Sequence, residues 1–402
     1  MSLSIARSQP GGSSLEDVLV ERLKQRPESA LDVRAKVALD VRGDAGWTVA
    51  FDRDRTSLSF GVDDDADLVV TGDADTLASI VDGTVWGIEA FVEGRIVVRR
   101  NLALSLRMAS LFDGVADHHF HKAVDVDAGG IRTFFIEAGQ GPPVVLLHGL
   151  GATNTSLLPT FLELCRDHRV IAPDLPGFGD TDKPIRSYDP EFFADWLLSF
   201  MDAVSLERAD LVGNSMGGRV AVEAALRAPE RVGRVALLAP SSAFIKGRQY
   251  ERIVRFLRPE LALLPLPLPR RQVVGSIRRL FSKPERLRPE WYESAADEFL
   301  RVFTRPRGRI AFFSAARQIY LEQPYGERGF WDRLPELSRP ALFVWGEKDW
   351  LVPARFERHV ERCLPNATSI VLEDCGHVPQ YELPEATHKL VREFLGGHDR
   401  GA

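Results

Sequence analysis

Six short, continuous apolar runs punctuate the C-terminal two-thirds of this 402-residue chain: Val144–Leu147, Val170–Ala172, Ala209–Val212, Val235–Leu238, Ala341–Trp345 and Ser369–Leu372. Segments with helical spacing, such as 190–204 and 217–228, separate them. Strands read as unbroken apolar runs when helices cover both faces of a parallel sheet. The pattern therefore predicts an α/β domain with a doubly covered sheet. One junction is more informative than the rest. Gly213-Asn214-Ser215-Met216-Gly217 follows the run 209–212 and precedes a helical segment. In that setting a G-x-S-x-G turn lifts a serine hydroxyl above the sheet. Glycines flank the serine because side chains there would meet neighbouring backbone. The helix N-terminus adds positive potential where negative charge develops.

A serine hydroxyl needs a base to become a nucleophile. His377, in Asp374-Cys375-Gly376-His377-Val378-Pro379, follows the run 369–372. Asp349, in Gly346-Glu347-Lys348-Asp349, follows the run 341–345 and precedes Leu351-Val352-Pro353. All three side chains are thus expected in loops at strand C-termini, on one rim of the sheet. The acid would hold the imidazole in its working tautomer and stabilise imidazolium. Glu347 and Asp374 compete with Asp349 for that part. His148-Gly149-Leu150-Gly151 follows the run 144–147. Its glycines let backbone amides turn inward, so the N–H groups of Leu150 and Met216 are the expected oxyanion donors. His148 is expected to be a structural hydrogen-bonding residue, not a second base.

With these motifs in this order, residues 129–398 resemble the α/β-hydrolase superfamily. Ala172-Pro-Asp-Leu-Pro-Gly-Phe-Gly179 matches that family's loop after its third strand. The resemblance implies a core over 129–240 and 340–398, with a helical cap inserted at 241–339. Relatives that open epoxides or displace halide use aspartate as nucleophile, so Ser215 disfavours those activities. Serine points to an acyl-enzyme. A cofactor-free perhydrolase, with Met216 beside the nucleophile, is a minor alternative. The cap pattern is basic and amphipathic: Lys246–Leu257, the Pro-rich apolar run Leu261–Pro269, Val273–Phe281 with Arg278 and Arg279, and a stretch from Phe299. Its apolar residues would line a hydrophobic pocket. Its basic face suits peripheral contact with an anionic membrane.

The first quarter has a different grammar. Residues 1–14, with Pro10-Gly-Gly-Ser-Ser, read as a disordered lead, and Leu15–Arg26 has helical spacing. Val37/Leu39/Val41, Trp47/Val49/Phe51 and Leu58/Phe60 alternate as antiparallel strands separated by turns. Leu68–Val70 is a further strand, Asp73 caps a helix that Gly83 ends, and Gly94 turns into Ile96–Val98 before an apolar helix from Leu102 to Phe112. This predicts a small α+β unit over 15–117. The stretch Asp67–Gly72, Leu77, Gly83, Ala90-Phe91, Gly94–Val98 and the Leu-rich helix after Asn101 is similar to the SCP2 sterol-carrier family. That family often has glycine where this chain has Arg100. The resemblance implies binding of acyl chains or sterols in a hydrophobic tunnel. Residues 118–128 are expected to be a linker; its His118, His119 and His121 lack the cysteines or patterned carboxylates of a metal site.

Three cysteines exclude a disulfide framework and suggest a reducing, cytoplasmic setting, with peripheral membrane contact through the cap as the alternative. The net charge of −6 argues against a general nucleic-acid binder. Within that total, residues 15–117 carry a net −8 and residues 241–339 a net +9. No cofactor or metal is expected, and oligomeric state is not legible. The expected function is a serine hydrolase acting on a carboxylic ester of a hydrophobic, lipid-like substrate that the N-terminal unit binds or delivers. Two alternatives remain: a C–C bond hydrolase of ring-cleavage products, suggested by Gly213–Gly218, and a lipid carrier with a vestigial hydrolase.

Overall fold

The computed structural model describes residues 2–6, 14–24, 34–52, 55–112, 122–241 and 268–397. Its contacts divide the chain into two units. One comprises 1–123 with 288–301, and the other 124–287 with 302–402.

The first unit is built on a six-stranded sheet ordered β1-β4-β3-β2-β5-β6. Its strands are β1 (Ser2–Ala6), β2 (Ala35–Val41), β3 (Trp47–Asp52), β4 (Arg55–Phe60), β5 (Leu68–Gly72) and β6 (Val97–Arg99). Its helices are α1 (Ser14–Lys24), α2 (Ala74–Val81), α3 (Gly87–Val92) and α4 (Leu102–Phe112), of which α1, α2 and α4 fall where apolar spacing put them. Leu15, Leu19, Leu77, Val81, Phe91, Leu102 and Leu106 are buried. The Asp73 carboxylate caps α2, accepting from Thr76 N–H at 2.8 Å. That acceptor is one of the four that a helix start requires.

Two features depart from the sequence reading. Residues 2–6 do not belong to a disordered lead; they pair with β4 in parallel, from Ser2 opposite Arg55 to Ala6 opposite Ser59. Five residues carry too little periodic signal to outweigh the Pro-Gly-Gly-Ser-Ser that follows. Arg100 occupies the position where glycine is common, with φ of +75°. A left-handed arginine is strained. Its guanidinium offsets that strain by donating to the carbonyls of Ala66 and of Asp64, the latter at 2.9 Å.

The second unit carries an eight-stranded sheet ordered β14-β13-β12-β11-β9-β10-β8-β7. The six apolar runs become β9 (Pro143–Leu147), β10 (Arg169–Pro173), β11 (Ala209–Asn214), β12 (Val232–Leu238), β13 (Ala341–Gly346) and β14 (Thr368–Leu372), all parallel to their neighbours in that set. Helices α5 (Leu158–Leu164), α6 (Pro190–Ala203) and α7 (Met216–Arg227) connect them. Val145, Leu147, Leu211, Val235 and Leu237 are wholly buried, as two-sided cover demands. The expected linker is corrected here. Residues 122–127 form β7, the edge strand next to β8 (Arg132–Ala138), and Gly129-Gly130 turn between them. A polar edge strand such as Lys-Ala-Val-Asp-Val-Asp lacks the continuous apolar run that identifies an interior one. His118, His119 and His121 lie outside the described residues.

Between β12 and β13 the described residues include the helices Arg270–Arg278, Pro289–Phe303, Pro306–Leu321 and Phe330–Arg333. This is an α/β-hydrolase core with inserted helices, preceded by an α+β unit. The cap stretches 246–257 and 261–267 lie outside the described residues. Among the described residues no helix is long and apolar enough to cross a membrane.

Four charged side chains form one ionic network in this unit. Glu223 of α7 accepts from Arg219 at 2.9 Å and from both terminal nitrogens of Arg333 at 3.0 and 2.9 Å. Arg219 also donates to Glu322 at 2.7 Å and stacks 5.0 Å from the Phe330 ring centroid. Arg219 and Glu223 are almost completely buried. Burial works against ionisation of Glu223, yet Arg333 and Arg219 outweigh it and hold the carboxyl below its ordinary range.

Candidate active site

Ser215 stands between β11 and α7 with φ of +54° and ψ of −116°. The turn is held by its own backbone: Ser215 N–H donates to Leu238 O at 2.9 Å, and Ser215 O accepts from Ser241 N–H at 2.9 Å. The two glycines around it are sterically required. A Cβ on Gly217 would lie 2.1 Å from Leu147 O, and one on Gly213 would lie 2.5 Å from the Gly217 carbonyl. Either would push the helix start off the strand that positions the serine.

His377 follows β14 and Asp349 follows β13, so both reach the rim on which Ser215 stands. His377 Nε2 lies 2.9 Å from Ser215 Oγ, and His377 Nδ1 lies 2.7 Å from Asp349 Oδ2. All three residues are buried. The second Asp349 oxygen accepts from the N–H groups of Leu351 and Val352 at 2.8 and 2.9 Å. Those bonds fix the carboxylate plane toward the imidazole. The two competing acids are occupied elsewhere. Glu347 is exposed and lies 3.1 Å from Lys348, while Asp374 is exposed and pairs with Lys283 at 2.6 Å.

Gly149 backs directly onto the nucleophile: a Cβ there would lie 3.3 Å from Ser215 Cβ. Among the described residues, the N–H groups of Leu150 and Met216 have no hydrogen-bond acceptor. His148 is wholly buried; its Nδ1 lies 2.8 Å from Gly149 O, and its Nε2 accepts from Leu175 N–H at 2.9 Å. Burial pushes its imidazole down to about 4. It is a neutral brace between the loops after β9 and β10. Burial likewise pushes His388, bonded to Thr160 at 3.1 Å, down to about 4.

A pH dependence follows from these two histidines. Both stay neutral in the folded chain, whereas the unfolded chain binds protons at the ordinary value of 6.5. The unfolded state therefore takes up more protons between those limits, and stability is expected to fall as pH drops from 6.5 toward about 4. Thermal unfolding midpoints across that window check it, and His388→Gln should flatten the slope.

Two residues outside the expected site set hold it in place. Asn214 Nδ2 donates to the carbonyls of Leu238 and His377 at 2.9 and 3.3 Å. Glu382 has a fully buried side chain that accepts from Gly376 N–H and Lys283 N–H, both at 2.7 Å. His377 N–H itself donates to Leu280 O at 2.7 Å. The segment 280–283 and Glu382 thus brace the histidine loop from both sides. The three cysteines are free, and burial raises the Cys375 thiol to about 12.

Residues 142–384 match the family model described as alpha/beta hydrolase fold. The chain belongs to the α/β-hydrolase family. Residues 17–113 of this hydrolase match the SCP-2 sterol transfer family. The hydrolase is 29% identical to 2-hydroxymuconate semialdehyde hydrolase of Pseudomonas sp. (strain CF600), over 69% of this chain and 95% of that protein. Among solved structures it is similar to a thermophilic esterase from Thermogutta terrifontis, at 27% identity and a TM-score of 0.57, over 68% of this chain and 98% of that one. A membrane phospholipase A described as a bacterial virulence factor aligns at 25% identity and a TM-score of 0.58, over 81% of this chain and 97% of that one.

Proposed function

We propose that this hydrolase cleaves a carboxylic ester of a hydrophobic acyl substrate through an acyl-enzyme on Ser215. The observation that carries the reading is the hydrogen-bonded line Ser215–His377–Asp349, at 2.9 and 2.7 Å. In it, Ser215 Oγ attacks the ester carbonyl while His377 Nε2 takes its proton. Asp349 keeps the proton on Nδ1 and stabilises the imidazolium. The N–H groups of Leu150 and Met216 receive the oxyanion, each worth about 3–4 kcal/mol in the transition state. His377 then returns the proton to the leaving alkoxide, and water, activated by the same histidine, releases the acid. The SCP2-like unit favours a lipid-like acyl group, as does the likeness to a phospholipase A.

The test is hydrolysis of a p-nitrophenyl ester series from acetate to palmitate by the full-length protein. kcat/KM is expected to rise with chain length, by about tenfold or more between the two- and eight-carbon acyl groups. Solvent extraction of the purified protein should release bound fatty acid or sterol if the first unit carries lipid. A flat chain-length profile with no lipid recovered defeats the lipid-ester reading.

The likeness to 2-hydroxymuconate semialdehyde hydrolase and the Gly213–Gly218 stretch favour a second reading, C–C bond hydrolysis of a ring-cleavage product. It needs the same serine, base and oxyanion donors. Loss of the yellow dienol absorbance without p-nitrophenyl ester turnover would select it. Absence of both activities, with lipid recovered, would select the carrier.

A further inference from the structure

The rim beside Asp349 exposes apolar surface. Trp350 is 61% exposed and Leu351 37% exposed. The indole is nonetheless held, because Trp350 Nε1–H donates to Arg279 O at 2.6 Å. That carbonyl belongs to a segment with a pronounced charge. Residues 270–286 carry Arg270, Arg271, Arg278, Arg279, Lys283 and Arg286 against the single acid Glu285. Neighbouring carboxylates take up part of it: Asp374 pairs with Lys283 at 2.6 Å, and Glu382 lies 3.5 Å from Arg286. Arg271 and Arg279 are exposed, and among the described residues neither has a carboxylate at ion-pair distance; Arg279 reaches only as far as the Ser276 hydroxyl, at 3.2 Å.

We propose that this rim, formed by Trp350, Leu351 and the basic segment 270–286, is a docking surface for an anionic lipid bilayer. An oriented, exposed indole whose N–H already has a partner is suited to the headgroup level, where its ring meets apolar surface. The guanidinium groups of the segment whose backbone holds it match lipid phosphates, whose bidentate geometry favours arginine. The segment also joins the site directly, through His377 N–H to Leu280 O at 2.7 Å. Docking therefore brings the Asp349–His377 loops to the lipid. The surface does not depend on whether the site cuts an ester or a C–C bond.

Vesicle flotation of the full-length protein tests it, comparing pure phosphatidylcholine with phosphatidylcholine containing phosphatidylglycerol. Partitioning is expected to be about tenfold or more stronger on the anionic vesicles and to weaken with added salt. The double variant Arg271→Glu/Arg279→Glu should lose about tenfold or more of that partitioning. Its turnover of a water-soluble short-chain substrate should be unchanged, which excludes misfolding. Trp350→Ala should weaken partitioning several-fold at unchanged salt dependence. Equal partitioning on neutral and anionic vesicles, no partitioning, or full partitioning by the double variant each overturns the proposal. Capture of a soluble protein partner by a protein that ignores vesicles also overturns it.

Discussion

Replacing Ser215 with alanine is expected to lower kcat by about four to six orders of magnitude while leaving the fold intact. Among the described residues the hydroxyl is the one oxygen hydrogen-bonded to His377 Nε2, at 2.9 Å, and alanine has no group to take over the attack. Alanine removes only that oxygen from a turn already paired through Ser215 N–H to Leu238 O and through its carbonyl to Ser241 N–H. Circular dichroism and melting should therefore match the parent. Labelling by a fluorophosphonate should disappear completely. Asp349→Asn is expected to cost about four orders of magnitude by presenting the wrong group to Nδ1, with labelling slowed and not abolished. Residual turnover by Ser215→Ala at a tenth of the parent rate or more would remove Ser215 from the mechanism.

The largest effect on stability is expected from Glu223→Gln. Glu223 receives three hydrogen bonds from two arginines at 2.9–3.0 Å, and its side chain is 1% exposed. The neutral amide leaves Arg219 buried with Glu322 as its remaining carboxylate. Removing one partner of a buried ionic network costs about 3–5 kcal/mol, because Arg219 stays buried away from water with only one of its two carboxylates. For a unit of this size that is a fall of about 10 °C in Tm. The contrast is Glu393→Gln, which breaks a pair with Lys389 at 3.9 Å whose side chains are 63% and 74% exposed. That change should stay within about 0.5 kcal/mol. Equal melting shifts for the two variants would mean that the quartet contributes no more than a surface pair.

The quartet was illegible in the sequence for a reason that also explains the other surprises. Arg219, Glu223, Glu322 and Arg333 look like ordinary surface charges on helical segments, two of them a hundred residues from the others. Burial and partnership depend on which elements meet. Glu382 is similar: it sits five residues beyond His377, but its importance lies in accepting from Gly376 and Lys283, and the latter is 99 residues away. The strands at 2–6 and 122–127 are short or polar, and their identity as strands comes from the edges they pair with.

What the sequence determined by itself is local. Apolar runs specified β9 to β14, because an interior strand must be apolar on both faces. Gly213 specified the serine turn, because a Cβ there would overlap the Gly217 backbone four residues away, whereas the overlap at Gly217 is with Leu147 O across the sheet. The order Ser215, Asp349, His377 followed from reading loops at strand ends. Only the tertiary structure decided that Asp349, and neither Glu347 nor Asp374, faces His377 Nδ1, at 2.7 Å. Only it decided that Trp350 stays at the surface while its neighbours Asp349 and Val352 are buried. Propensity and close-range sterics act between adjacent residues and are written in their order. Electrostatic and hydrogen-bond partnerships act across space, and folding alone sets those distances.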